Sequence, residues 1–582
     1  MRWRALGLAI ALWAALAAPG SLWAQESDAG FIGRQIENAL SGPGREARVS
    51  GFSGVLSGQA TMDRLTLADA EGVWLTIENA VLDWNRSALL RRRLQVAELS
   101  AEEIIVARPP LPAPPGDAPM EAPSAAASGF ALPELPVAIN IGALSVARLT
   151  LGAPVLGEQA VFAAEGGISL QGGEGDVALA LVRQDGTDDR ISLDASFSNE
   201  TRVLALDLEV REDAGGLIGT LAQLPGGPSL ALDVQGSGPL DDYTAEIGLS
   251  TDGAQRVAGR VTLRGADDGG LRFAADIGGD LTPLVAPQYR EFFGDDVQLA
   301  AEGLRGGSGS LELETLQVRA RSLDLSGSFA LTPEGRPQSF ALNGTLADPE
   351  GGPVRLPTAA PVSLDEVRLV AAYDVSEGEA WTLDLTASGV AAEAAEIGEL
   401  SLRGGGEIGA AAGPLQVTAA LDYAAAGLAL ADADLAAAVG DRVGGTAEIL
   451  WSSEAPLSLD SFSLGGADYG LTAAGRATIA ERTLVLDGEA ALASEDLSRF
   501  SGLAGRPLTG TAEIALAGEG DVLGGTFDLA LDLDGSGLGI GQDLADRFLE
   551  GPVALDLAAR RDETGTALDR FTLDSTGVTA EA

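Results

Sequence analysis

The feature that most constrains this chain is an eight-residue phrase whose alternation breaks once. It is first met at Ala60–Leu67, Ala-Thr-Met-Asp-Arg-Leu-Thr-Leu, where Ala60, Met62, Leu65 and Leu67 are apolar and the residues between them polar. It returns as Leu311, Leu313, Leu316, Val318, then as Val362, Leu364, Val367, Leu369, as Ala395, Ile397, Leu400, Leu402, and as Leu457, Leu459, Phe462, Leu464. Looser copies start at Leu94, Leu144 and Thr566. A period of two reads as a half-buried strand. The break at the fourth and fifth positions would throw the second half of the phrase onto the wrong face. A β-bulge, which sets two residues opposite one, restores it. A long run of strands with one apolar face follows, with Met62, Leu65 and Leu67 on the same side. The copies start 33 to 167 residues apart. That irregularity speaks against a fixed-period solenoid and fits an antiparallel meander with variable hairpins.

Composition narrows the function classes. The chain has 582 residues, 77 of them Gly, and is 46% hydrophobic, which suits a folded protein. Its 37 basic residues are all Arg and face 85 acidic ones, a net charge of −48. Nucleic acid and anionic headgroups both call for basic clusters, so neither is expected along its length. With Cys 0 and His 0 there is no disulfide, no thiolate or imidazole ligand, and no Ser–His or Cys–His pair. The carboxylates mostly alternate with Leu or Val along strands, and no two are paired in an apolar setting, as hydrolase chemistry would need. Gly172–Asp176 is an isolated, out-of-register match to the calcium nonapeptide repeat. Asp532-Leu-Asp534-Gly535 lacks the rest of an EF-hand loop, and Gly535–Gly541 does not fit the dinucleotide fingerprint. No enzyme activity, cofactor or metal is expected.

Along the chain, Arg2 and Arg4 precede an almost continuously apolar Leu6–Ala18, then Pro19-Gly20-Ser21 and Ala24. Residues 1–24 are thus a signal peptide or, if uncleaved, a signal anchor, and the remainder is exported. Residues 25–108 hold a short helix (Ile32, Ile36, Leu40) and the first strands, beginning around Val49 and Gly51–Gly58. Arg91-Arg92-Arg93 is either a headgroup contact or a solvated turn. Residues 109–128 are a Pro/Ala-rich linker, and 129–582 carry about 35 strands if each runs to ~9 residues plus a turn. Helical stretches are predicted at Leu217–Leu224, Leu281–Phe293, Leu497–Leu503 and Leu544–Leu549, the last three with Asp280, Asp496 and Asp543 at their N-caps. Gly577–Ala582 stops as if within a strand, which reads as a chain truncated at its C-terminus.

Two stretches carry a family resemblance. Gly51-Phe-Ser-Gly-Val-Leu-Ser-Gly, Met62-Asp-Arg-Leu-Thr-Leu, Gly72-Val-Trp-Leu-Thr-Ile and Leu82-Asp-Trp-Asn-Arg-Ser-Ala-Leu-Leu90 form the first. Leu132-Pro-Glu-Leu-Pro-Val with Leu149-Thr-Leu-Gly-Ala-Pro-Val-Leu-Gly157 form the second. Both resemble the TamB family, inner-membrane subunits of the translocation and assembly module among the AsmA-like proteins. The match is specific over roughly residues 45–160 and diffuse beyond. It implies a mainly β fold, an elongated, twisted antiparallel sheet bent into an open hydrophobic groove, held at the inner membrane by one N-terminal anchor with its bulk in the periplasm. It further implies phospholipid acyl chains as partners, and movement of phospholipid between inner and outer membranes, assembly and secretion of outer-membrane proteins, or both. A TamA-like outer-membrane barrel would be met through a C-terminal domain absent from this sequence.

The strand positions that would line such a groove are Met62, Leu65 and Leu67, then Val73, Leu75 and Ile77, and Val146, Leu149 and Leu151. Leu204, Leu206 and Leu208 continue the set, as do Leu311, Leu313, Leu316 and Val318, Leu323 and Leu325, and Leu364, Val367 and Leu369. Leu459, Phe462 and Leu464, with Phe527, Leu529, Leu531 and Leu533, complete it. An apolar face of this size cannot stay in water, so either a second sheet or acyl chains must cover it. The competing readings are a secreted β-rich adhesin or passenger with a filled core, which predicts regular repeats, and a carboxylate hydrolase, which predicts a clustered acidic site.

Overall fold

A computed structural model describes residues 41–42, 44–54, 58–85, 93–111 and 138–582, apart from 268, 410–412, 481–482, 522 and 563–564, together with Glu37 and Leu132. The leader, most of the Ile32–Leu40 helix, Arg91-Arg92 and most of the linker lie outside these residues. Among the described residues no helix is long and apolar enough to cross a membrane.

The chain is mainly β, with a few short helices. It divides into two compact units, one formed by Met1–Pro287 with Glu302–Gly309, the other by Gln288–Ala301 with Ser310–Ala582. In the first, β1 (Glu46–Ser50), β2 (Gln59–Asp69), β3 (Gly72–Trp84), β4 (Arg93–Val106) and β5 (Ala138–Leu151) open a ladder that continues to Leu271–Gly279. β1 pairs with β2 alone. In the second unit the ladder runs from Leu311–Ala320 to Thr579–Glu581, which pairs only with Gly565–Ser575. Neither ladder closes into a barrel. From β5 onward 28 strands occur among the described residues, fewer than the expected 35 or so, because many run to 12–15 residues. Among the described residues of the predicted strand over Gly51–Gly58 only an isolated bridge, Ser53 to Thr61, is formed, and Gly51 turns the chain at φ 66° just after β1.

Among the described residues the strand pairing is antiparallel with one exception. β4 and β5 run parallel, from Arg93 opposite Ala138 to Val106 opposite Leu151. A parallel neighbour needs a crossover of a dozen or more residues, and the Pro/Ala-rich linker supplies it. The linker therefore joins two adjacent strands. Its start is pinned: the guanidinium of Arg108 donates to both carboxylate oxygens of Asp69 and to the Gly72 carbonyl, and the Leu111 N–H donates to Asp69.

The octad breaks resolve in two ways. At Leu313/Leu316 and Leu459/Phe462 the register shifts by one, with two residues opposite a single partner. The looser copies do the same between Val96 and Glu98, Val146 and Leu149, and Leu568 and Arg570. In the other three copies the register is constant across the break, and the partner strand carries a left-handed residue there. Asp63 faces Asn79 (φ 48°), Asp365 faces Gly389 (φ 60°), and Gly398 lies between Gly389 and Gly427 (φ 65°). A residue turned to positive φ drops out of the ladder and reverses the facing of those beyond it, as a bulge does. Both strands then switch faces together. The break is thus shared sideways, from Asp63 through Asn79 to Glu102, where the Asn79 amide donates to the Glu102 carboxylate at 2.5 Å.

The helices are shorter than predicted. Leu217–Leu221 and Asp543–Asp546 are single turns, a 3₁₀ turn at Leu497–Phe500 leads into Ser501–Ala504, and the Leu281–Phe293 stretch is helical only from Pro287. Asp496 caps as expected, accepting from the Ser498 N–H at 2.9 Å. Asp543 is the first helical residue, and Asp280 accepts from Thr282 in a turn that starts no helix. Ala433–Val439, capped by Asp432 on the N–H groups of Asp434 and Leu435, and Ala153–Leu156 were not foreseen. In the second unit Ala433–Val439, Leu497–Ala504 and Asp543–Asp546 fill alternate connections of the meander, so all three stand at one edge of the ladder.

Candidate functional site

Register turns the strand alternation into rows that cross the strands. In the second unit one row takes a residue from each of sixteen paired strands. It begins Val318, Leu325, Gly344, Leu369, Leu385, Leu402, Tyr423 and Gly445. It continues Leu464, Leu471, Leu492, Ile514, Leu533, Leu555, Leu573 and Ala580. Every member is apolar or Gly except Tyr423. A parallel row runs from Leu316 through Leu383, Leu421, Phe462, Leu516 and Leu531 to Phe571. In the first unit Ala60, Leu82, Leu99, Leu144, Gly166 and Leu179 lead to Leu193, Leu208, Val234, Ile247, Gly259 and Ile277. Beside it lies a row holding Met62, Val146, Leu181, Val210 and Leu249.

Most of the expected lining residues fall on these rows or pack next to them. Met62, Leu65, Leu67, Leu75 and Ile77 join Ala47 and Trp74 in one cluster, in which Leu65 and Leu67 are each 1% exposed. Leu149 and Leu151 pack with Phe162 under Leu156 and Leu217 of two short helices. Leu323, Leu364 and Val367 pack beneath Phe292 and Phe293. These groups are small covered cores. Leu204 and Leu206 sit opposite Phe197 and Ala195, and Leu311 and Leu313 opposite Leu331 and Phe329. Leu459, Leu529 and Phe527 line one concavity, described below. Val73 is the exception, at 49% exposed. The β2–β3 register shifts between Leu67 and Ala68, so Trp74 turns inward in its place and is buried.

Burial is graded across the face in the second unit. At the edge carrying the helices, Ala438, Ser494, Ala512 and Val553 are buried. At the opposite edge Leu457, Leu486 and Leu516 are 40%, 45% and 37% exposed. They stand around a concavity of about 500 Å³ that also takes in Ile449, Leu459, Phe527 and Leu529. Its floor is the ladder row Leu459, Gly475, Gly488, Gly518, Leu529. A Cβ at Gly488 would strike the Ala474 carbonyl and one at Gly518 the Asp528 carbonyl, so only Gly fits. Elsewhere aromatics lie over glycines. Tyr423 reaches across Gly445 to donate to the Ser463 carbonyl at 2.8 Å, and Tyr243 lies over Gly236. Burial pushes up the phenols of Tyr243 in the first unit and of Tyr373, Tyr423 and Tyr469 in the second, which favours their neutral form.

Charge sits on the other face. Arg476, Asp487, Glu519, Asp528 and Arg560 form one ladder row, and cross-strand pairs such as Arg403–Asp384 (3.2 Å) and Arg570–Asp556 (2.7 Å) are solvent-exposed. Such pairs contribute little stability each but keep this face wet. Among the described residues no three carboxylates gather into a metal site. Leu385, Leu471, Leu492, Ile514, Leu555 and Leu573 were not singled out from sequence. Each carries the same alternation, but which residues meet across strands depends on turn lengths. No protein-family model, curated protein or solved structure matches the chain.

Proposed function

We propose that the chain is a TamB-like periplasmic protein whose apolar face, bent into a groove, carries phospholipid acyl chains between the inner and outer membranes. Support for assembly and secretion of outer-membrane proteins by the same face is a close relative of this reading. The N-terminal segment would hold it at the inner membrane, and an outer-membrane barrel would be its partner. The observation that carries the reading is the row across sixteen strands that is apolar or Gly at every position but Tyr423. A filled-core passenger would place a second layer over that face, whereas Leu457, Leu486 and Leu516, on neighbouring rows of it, stand open. Acyl chains moving from a bilayer to Leu, Val and Ala walls change environment little, so lipid can advance without a deep trap. No reaction chemistry is assigned; the work is done by shape and by exclusion of water.

The test is mass spectrometry of lipid co-purifying with the exported part of the chain, on the parent and on Leu325→Asp and Leu402→Asp. Phospholipid is expected with the parent. The variants, at half-buried positions, are expected to stay folded and lose most of it. Absence of lipid from the parent, with both variants merely unfolding, would sink the proposal.

A further inference from the structure

We propose that the concavity over Leu457–Gly465 to Thr526–Gly539 is a defined seat for one phospholipid acyl chain, with the headgroup phosphate held by Arg561. This rests on the lipid-carrying reading above and narrows it to one place on the face. The space of about 500 Å³ lies within the range of small-molecule sites. Its lining reaches across six strands, from Ile449 to Leu529, about 24 Å at ~4.8 Å per spacing. One leaflet of a bilayer hydrocarbon core is about 15 Å deep, so a single chain laid across the strands fits its length. The glycine floor lowers the middle of the seat, while Leu486 and Leu516 rise on either side with exposed apolar surface unmatched by any protein partner.

Charge supplies the direction. Arg561 is the ladder partner of Phe527, one strand beyond the concavity and on the apolar face. Its neighbours are already committed, Arg560 to Asp569 at 3.1 Å and Arg570 to Asp556 at 2.7 Å, and both project to the opposite face. Arg561 makes no ion pair among the described residues. In a chain of net charge −48, an exposed guanidinium without an ion pair among the described residues, at the end of an apolar seat, matches an anionic group carried on an apolar tail. A guanidinium also accepts phosphate in a two-pronged geometry.

The experiment uses the purified chain and two probes with the same diazirine-bearing acyl chain, one a phosphatidylglycerol and the other a diacylglycerol without phosphate. After irradiation the labelled residues are mapped by mass spectrometry. Label is expected to concentrate on Leu457, Leu486 and Leu516. Arg561→Gln is expected to cut labelling by the phosphatidylglycerol about tenfold, the factor of one charge-assisted hydrogen bond, and to leave the diacylglycerol unchanged. Gly520→Leu, where an added Cβ comes within 3.3 Å of the Thr526 carbonyl and asks that neighbour to give by a few tenths of an ångström, fills the seat and should reduce both probes, in a variant that keeps a cooperative melt. Label spread evenly along the rows, or unaffected by Gly520→Leu, overturns the seat but leaves the lipid reading standing. Equal loss of both probes in Arg561→Gln overturns the headgroup assignment. Absence of label anywhere removes the seat and the lipid reading together.

Discussion

Arg183 shows how single residues secure the covered edge of the first unit. Its guanidinium donates to Asp189 at 2.9 Å, Asp185 at 3.0 Å and Glu158 at 3.1 Å. Burial alone would lower its pKa; the three carboxylates outweigh that and raise it. Asp189, buried at 2% exposure, and Glu212 in turn accept the N–H groups of Leu217, Ile218 and Gly219, anchoring the short helix that covers Leu149 and Leu151. Arg183→Met leaves Asp189 buried without its cation, at a cost of about 3 kcal/mol. Adding Asp189→Leu should recover part of it. Hydrogen exchange at Leu217–Leu221 reads both. Asp69 offers a pH test. Arg108, with the N–H groups of Leu111 and Glu71, holds its carboxyl well below the usual carboxylate range against a smaller opposing effect of burial. A depressed carboxylate stabilises above its unfolded pKa of about 3.9 and loses that contribution as pH falls toward its folded value. The melting difference between parent and Arg108→Gln should therefore be full at pH 6 and shrink below about pH 4. A constant difference across that range would contradict this role. None of these clamps was legible in sequence, because Asp69 and Arg108, or Arg183 and Glu212, meet only once the strands are in register.

At the scale of the element, the octad was legible because alternation and its single break are local. What was not legible is how each break is compensated. The same phrase is repaired by a bulge at Leu313/Leu316 and by a left-handed partner at Asp365/Gly389, and that choice lies in the neighbouring strand. Trp74 replaced Val73 for a similar reason, a register shift set between two strands. Deleting Thr315 leaves strict alternation through Leu311, Leu313, Leu316 and Val318, so the bulge is no longer needed and the two halves should keep their common face. Because the chain has no Cys, single-cysteine labelling reports this cleanly. Val318→Cys should react slowly with a maleimide in both the parent and the deletion, and Arg319→Cys rapidly in both. Exchanged rates in the deletion would mean that the extra residue is not what the bulge absorbs. At Gly389 any side chain must adopt φ near 60° and meet the Asp365 carboxylate. Gly389→Ala should cost about 1–2 kcal/mol by urea unfolding, and Asp365→Ala should relieve only the contact and not the backbone strain.

At the scale of the molecule, the lipid-carrying proposal divides in two, lipid moving along the face or resting on it, and kinetics separates the two. An ionised carboxylate in an apolar path costs about 3 kcal/mol, a factor of about one hundred in rate. Leu385, Leu492 and Leu555 lie on one row, several strands apart. If lipid passes every strand in turn, resistances add in series. Each single Asp variant should then slow transfer of a fluorescent phospholipid between donor and acceptor vesicles by about the same hundredfold. Leu385→Asp combined with Leu555→Asp should be only about twofold slower than either alone, since two equal resistances sum. A lipid bound simultaneously along the whole row would instead make the energies add, and the double variant would fall by about four orders of magnitude. A shuttle that carries lipid at any free position would hardly notice one substitution. The conduit reading stands on the first pattern and is abandoned on either of the others, provided each variant melts within a few degrees of the parent.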